Sequence, residues 1–151
     1  MQRFFLPPVA WVVSVVAMVI LQRAWPVWRV PELVSAWTGP VGLALGLVGL
    51  AIAQWHARLF RRIGTNINTF GEPDKLTTAG LFAHTRNPMY LGMLLALVGV
   101  AVALGALSAW LPVLWFFGLA QAWYIPAEER NLSARFGSHY QDYCRDVRRW
   151  I

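Results

Sequence analysis

Apolar and polar positions alternate along this chain in long blocks, with almost no short-period alternation. Phe4 to Leu21, about Pro40 to Phe60, and Pro88 to Ala127 are apolar blocks. The last runs for about 40 residues without a charged side chain, enough for two membrane spans at roughly 20 residues each. Gly105-Ala106-Leu107-Ser108 offers the reversal inside it. The pattern predicts an all-α, polytopic membrane protein with about four transmembrane helices, near 4–21, 40–60, 88–106 and 109–126. The last two form a C-terminal hairpin, a loop occupies 61–87 and an amphipathic tail 127–151, all in one domain.

Within the first block Pro7 and Pro8 fall in the opening turn, where proline is tolerated. A secretory signal is the competing reading. The block is long for one, and Leu21-Gln22-Arg23-Ala24-Trp25 is a poor cleavage site, so a retained span is expected. Trp25, Trp28 and Trp37 suit the aromatic belt of a membrane interface. In the second block Gly42, Gly46, Gly49 and Ala53 recur at helical spacing, which lets a neighbouring backbone come close, within the chain or across a homodimer. They do not match a nucleotide-binding glycine loop.

The 61–87 connection contains Thr65-Asn66-Ile67-Asn68-Thr69, which alternates like an extended segment, and Gly71-Glu72-Pro73-Asp74, which is turn chemistry. Asn87-Pro88 reads as an N-cap and first helical residue. Beyond the hairpin, Leu132, Phe136, Tyr140, Tyr143, Val147 and Trp150 recur at three- and four-residue steps. Gly137 interrupts them, and Ser138 with Gln141 offers a capping box. Such a tail can lie on the bilayer or cover a polar site.

Composition agrees with the membrane class: 58% of residues are hydrophobic and only 13% charged, against about 25% in average globular chains. The net charge of +6 is what basic residues gathered outside apolar spans produce, and no nucleic-acid partner is expected. With four spans, every Lys and Arg except Arg23 and Arg29 falls at one face. The positive-inside rule makes that face, with both termini, cytoplasmic in the cell's inner membrane. Cys144 is alone and His56, His84 and His139 are far apart, so no metal site is expected.

Folding the hairpin back would bring His84, Arg86 and Asn87 beside Glu128 and Glu129 at the lipid boundary, where ionisable groups are costly and tend to be functional. The helix start beside Arg86 would present free amides and suits a carboxylate or phosphate, while the glutamates suit an ammonium, a sulfonium or ribose hydroxyls. Taken singly, these features also have ordinary readings as a cap, a lipid-gripping arginine and a solvated turn. Together they match a zwitterionic ligand.

The blocks Gly80-x-Phe82-x-x-x-Arg86-Asn87-Pro88-x-Tyr90-x-Gly92, Glu128-Glu129-x-x-Leu132 and Phe136-Gly137-x-x-Tyr140-x-x-Tyr143-x-x-x-Val147-x-Arg149 occur in this order around an apolar hairpin. Over roughly Thr65 to Arg149 the chain resembles the isoprenylcysteine carboxyl methyltransferase and phospholipid methyltransferase family of integral membrane enzymes. The resemblance implies S-adenosylmethionine as cofactor, leaving as S-adenosylhomocysteine. It implies cofactor roles for Arg86, Asn87, Pro88, Tyr90, Glu128 and Glu129. Gly80 and Phe82 would shape the loop leading in, and Leu132 and Tyr140 would close the pocket. Arg86 and Glu129 are the candidate catalytic residues. The methyl acceptor would be a lipophilic or small molecule with a carboxylate, amine or thiol, reached from membrane lipid or cytosol. Several relatives have His where this chain has Asn87, which cannot titrate, and His84 lies outside the motif. A nicotinamide-dependent membrane reductase and a non-catalytic membrane subunit are the rival readings.

Overall fold

The computed structural model describes residues 6–24, 36–63 and 76–151. The Phe4 start of the first block, Trp25, Trp28, the Thr65–Thr69 segment and the Gly71–Asp74 turn lie outside the described residues. Within them the structure is helical, without strands: α1 (Pro7–Ala24), α2 (Thr38–Ile63), α3 (Pro88–Leu104), α4 (Trp110–Leu119), α5 (Ile125–Phe136) and α6 (Ser138–Asp146). By length and composition, Pro7–Ala24 and Thr38–Leu59 are able to cross a bilayer. The 17-residue α3 is as apolar but about 26 Å long as a regular helix.

Helix α3 occupies the centre. On one side it meets α2 through the glycine stripe, backbone against backbone. A Cβ built on Gly99 would sit 2.3 Å from the Gly46 nitrogen, and one on Gly49 would sit 2.4 Å from the Ala96 nitrogen. The stripe is therefore an intrachain contact with the small residues Gly92, Ala96, Gly99 and Ala103 of α3. On the other side α3 packs against α1 and α4 around Leu97, Ala101, Val113, Phe116, Ala120 and Tyr124. Trp11 Nε1 donates to the Met93 carbonyl at 2.9 Å, tying α1 to α3. Outward faces carry Val12, Val16, Ile20, Leu43, Leu47 and Leu114, each at least half exposed. Apolar side chains on both the inner and outer faces of a bundle suit hydrocarbon as solvent.

The reversal falls where the sequence places it: the Gly105 amide closes α3 on the Ala101 and Val102 carbonyls, and a short 3-10 turn, Leu107–Ala109, opens the return. Beyond it the return span and the start of the tail form one helix. The helix does not stop near residue 126 but continues to Phe136, interrupted only by a widened π turn over Ala120–Tyr124 in which the Ile125 amide bonds the Ala120 carbonyl. Pro126 accounts for this: it has no N–H, and its ring presses on the carbonyl four residues back, so the turn before it opens.

The tail doubles back. Gly137, at φ +53°, ends α5 and starts α6. The expected Ser138 capping box does not form, because Gly137 itself holds the cap position and Ser138 is already inside the helix. Tyr140, Tyr143 and Val147 are buried against Leu76, Leu132 and Phe136, so α6 covers the segment leading into α3. Trp150 then reaches α4, donating to Gln121 Oε1 at 2.8 Å and packing on Phe117.

The α2–α3 seam has no room for a methyl group. Gly99→Ala should destabilise the protein by about 1–3 kcal/mol or more, since backbone rather than side chain must move. Gly118→Ala, with nothing within 4 Å of the added carbon, should be neutral or gain up to about 1 kcal/mol. Thermal unfolding of the two variants in detergent checks the contrast.

Candidate functional site

The site forms where the start of α3, the first turn of α5 and the end of the tail meet. Arg86 precedes α3, its side chain 14% exposed. Its Nη2 donates to Glu129 Oε1 at 3.1 Å, and its Nη1 to the Cys144 carbonyl at 3.2 Å. Arg149 grips the same carboxylate from the tail, with Nε on Oε1 at 3.1 Å and Nη2 on Oε2 at 2.5 Å. One carboxylate thus lies between two guanidiniums. Beside it, Tyr90 of α3 donates its hydroxyl to Glu128 Oε1 at 2.8 Å. Two arginines and two glutamates leave the cluster balanced in charge, with Glu129 paired to both guanidiniums and Glu128 held by Tyr90.

The widened turn sets this arrangement. One extra residue in a helical turn rotates every later side chain by about 100°. Glu128 and Glu129 come directly after that turn, and both carboxylates meet residues at the start of α3. In the turn itself Tyr124 is fully buried, nearly parallel to Tyr90 (centroids 6.1 Å apart, 12°) and to Trp123 (5.9 Å, 10°). Among the described residues, Tyr124 Oη and Arg86 Nε are buried without a hydrogen-bond partner. Leaving such a group unsatisfied costs about 1–3 kcal/mol.

Asn87 sits at the cap position of α3 but does not cap it through its side chain. Its Nδ2 donates instead to the Arg149 carbonyl at 2.9 Å, and Thr85 Oγ1 donates to the same carbonyl at 3.3 Å. The Arg86 amide bonds the Arg148 carbonyl at 3.0 Å, and the Asn87 amide bonds Thr85 Oγ1 at 3.1 Å. These two amides, just ahead of the first helical residue Pro88, are spent on the chain itself. The tail thus lies across the residues that lead into α3.

Of the other residues to which the sequence points, Pro88 and Tyr90 are buried at the site. Phe82 is buried and accepts a 2.7 Å bond from the Tyr143 hydroxyl at its carbonyl, which docks the loop under α6. Leu132 and Tyr140 belong to the tail cluster that closes over the loop. Gly80 lies on an exposed turn at φ +65°, which favours glycine. His84 is exposed. Arg149 and Tyr124 join the site without having been expected there. Arg149 was visible as the last position of the tail pattern; Tyr124 carried no signal beyond lying two residues before Pro126.

An apolar-surfaced helical bundle holding a polar site at one end defines a helical membrane protein. Residues 37–139 match the family described as Phospholipid methyltransferase, and the chain belongs to that family. It is 40% identical over 63 residues to an uncharacterized protein of Haemophilus influenzae, covering 42% of this chain and 100% of that one. It is 34% identical over 123 residues to a probable protein-S-isoprenylcysteine O-methyltransferase of Oryza sativa, covering 78% of this chain and 63% of the rice protein. It is 29% identical over 138 residues to the lamin-B receptor of Drosophila melanogaster, covering 82% of this chain and 18% of the receptor. The chain thus spans under two thirds of the rice protein and under a fifth of the receptor. No solved structure matches it.

Burial pushes the Tyr143 hydroxyl up to about 12 from 10.0, with nearby Arg86 opposing. Burial also raises Tyr140, reinforced by its hydrogen bond with Cys144. A tyrosine whose folded-state value is raised stabilises the fold fully below pH 10 and loses that contribution as the pH climbs through the folded value. Thermal stability should therefore fall between about pH 10 and 12. Tyr143→Phe should flatten part of that fall while costing about 1–3 kcal/mol at neutral pH, because the Phe82 carbonyl loses its buried donor. Melting curves across alkaline pH read both effects.

Proposed function

We propose that the chain is an integral membrane methyltransferase that binds S-adenosylmethionine between the open ends of the hairpin, opposite the reversal at 105–108. The observation that carries this reading is the paired arrangement of Arg86 and Arg149 around Glu129, with Glu128 held alongside by Tyr90. The donor set fits the cofactor: a guanidinium with a buried, unpartnered Nε suits its carboxylate, and Glu128 suits its cationic and hydroxyl groups. Bound cofactor supplies a methyl group already activated on sulfur. The residues of the chain then have to bind, orient and keep water away, since displacement at a methyl group depends mainly on alignment with an unprotonated nucleophile. Asn87, fixed on the tail carbonyl, positions the strap and moves no proton.

Helices α1, α2 and α3 and the continuous helix from Trp110 into α5 cross the membrane in this reading. The arginines Arg86, Arg130, Arg135 and Arg149 around the site support a cytosolic site end under the positive-inside rule. An acceptor with a carboxylate, amine or thiol would arrive from the cytosol if small, or between helices if lipid-tailed. The name of the rice relative favours a lipophilic one.

Calorimetric titration with S-adenosylhomocysteine tests the reading on detergent-purified protein. Wild type should bind, and Glu128→Gln/Glu129→Gln should not, with helicity retained. Absence of binding by folded wild type, or binding of NADPH instead, would overturn it. Arg86→Ala should abolish methyl transfer while the fold persists, because Arg149 still holds Glu129; a full-rate, folded variant would remove Arg86 from the site.

A further inference from the structure

Of the two stacked tyrosines at the site, one hydroxyl is committed and the other is not. Tyr90 gives its proton to Glu128 at 2.8 Å. Tyr124 is 0% exposed and its hydroxyl has no partner among the described residues. Its ring stands near those of Tyr90 and Trp123, within about 12° of parallel to each. It also lies in the π turn that Pro126 opens, the one place where the long helix gives up regular geometry, directly before the two glutamates. If the position served packing alone, phenylalanine would fill it without burying an unmet polar group.

We propose that the Tyr124 hydroxyl is a ligand-contacting donor of this site, hydrogen-bonding an oxygen of the bound S-adenosyl ligand. The inference rests on the methyltransferase reading above and extends it to a residue outside the three sequence blocks. Tyr90 links the two parts: it carries Glu128 at its hydroxyl and Tyr124 against its ring, so a ligand drawn to Glu128 is brought beside Tyr124. The ligand's oxygen then satisfies a donor that the protein leaves unsatisfied.

Tyr124→Phe separates this role from a structural one, because the two predict opposite pairs of results. The purified full chain in detergent is titrated with S-adenosylhomocysteine and melted with and without it, wild type beside variant. The expected result is an affinity about five- to tenfold weaker, a melting temperature without ligand that is equal or higher, and a smaller rise on adding ligand. Unchanged affinity in the variant would overturn the proposal while leaving the methyltransferase reading intact. So would a variant that melts lower or fails to fold, since that hydroxyl would have a structural partner. If folded wild type binds no S-adenosylhomocysteine, the reading itself falls and this inference with it.

Discussion

The carboxylate of Glu129 is the point through which the site is held. It is one-fifth exposed and joined to Arg86, 43 residues earlier, and to Arg149, 20 residues later. Withdrawing three charges this far from water is costly, and the cost is met only when every charge finds its counterpart in good geometry. The two-point grip of Arg149 meets that condition. It also fixes the peptide around Arg148 and Arg149, whose carbonyls receive the Arg86 amide and the Thr85 and Asn87 side chains. The start of α3 is thus set by the tail, and the tail is set by one glutamate.

Why that glutamate faces the right way is a matter of one proline. With Pro126 closing off a regular bond, the helix from Trp110 to Phe136 takes in an additional residue over Ala120–Tyr124. A uniform helix would carry Glu128 and Glu129 about 100° away from their present directions. A local backbone defect in an apolar helix therefore converts two adjacent carboxylates into partners for two different residues, Tyr90 and Arg86. Widened turns of this kind are rare and recur at functional sites.

Much of this was legible in the order of residues. The apolar blocks located α1 to α4, Gly105 to Ser108 located the reversal, and the glycine stripe announced a backbone-to-backbone seam. The meeting of Arg86 with Glu129 followed from the hairpin alone. What could not be read depended on partners distant in sequence. Asn87 has the chemistry of a cap, but the Arg149 carbonyl, 62 residues away, competes successfully for its amide. Ser138 and Gln141 have the spacing of a capping box, yet Gly137 takes the cap because it alone tolerates that turn. Arg149 stood in the tail pattern as one basic residue among several, and only the fold shows which of them reaches Glu129.

The seam between α2 and α3 carries a mechanical consequence. Backbone atoms there are in direct contact across several turns, with no side chains between them to rotate aside. The pair behaves as a single stiff plank. The opposite side of α3 meets α1 and α4 through larger side chains, Leu97, Val113, Phe116 and Tyr124 among them, which have rotamers to exchange. Any widening of the bundle must be taken up on that opposite side. The molecule has a hard flank and a compliant one, and the charged cluster sits on the compliant one.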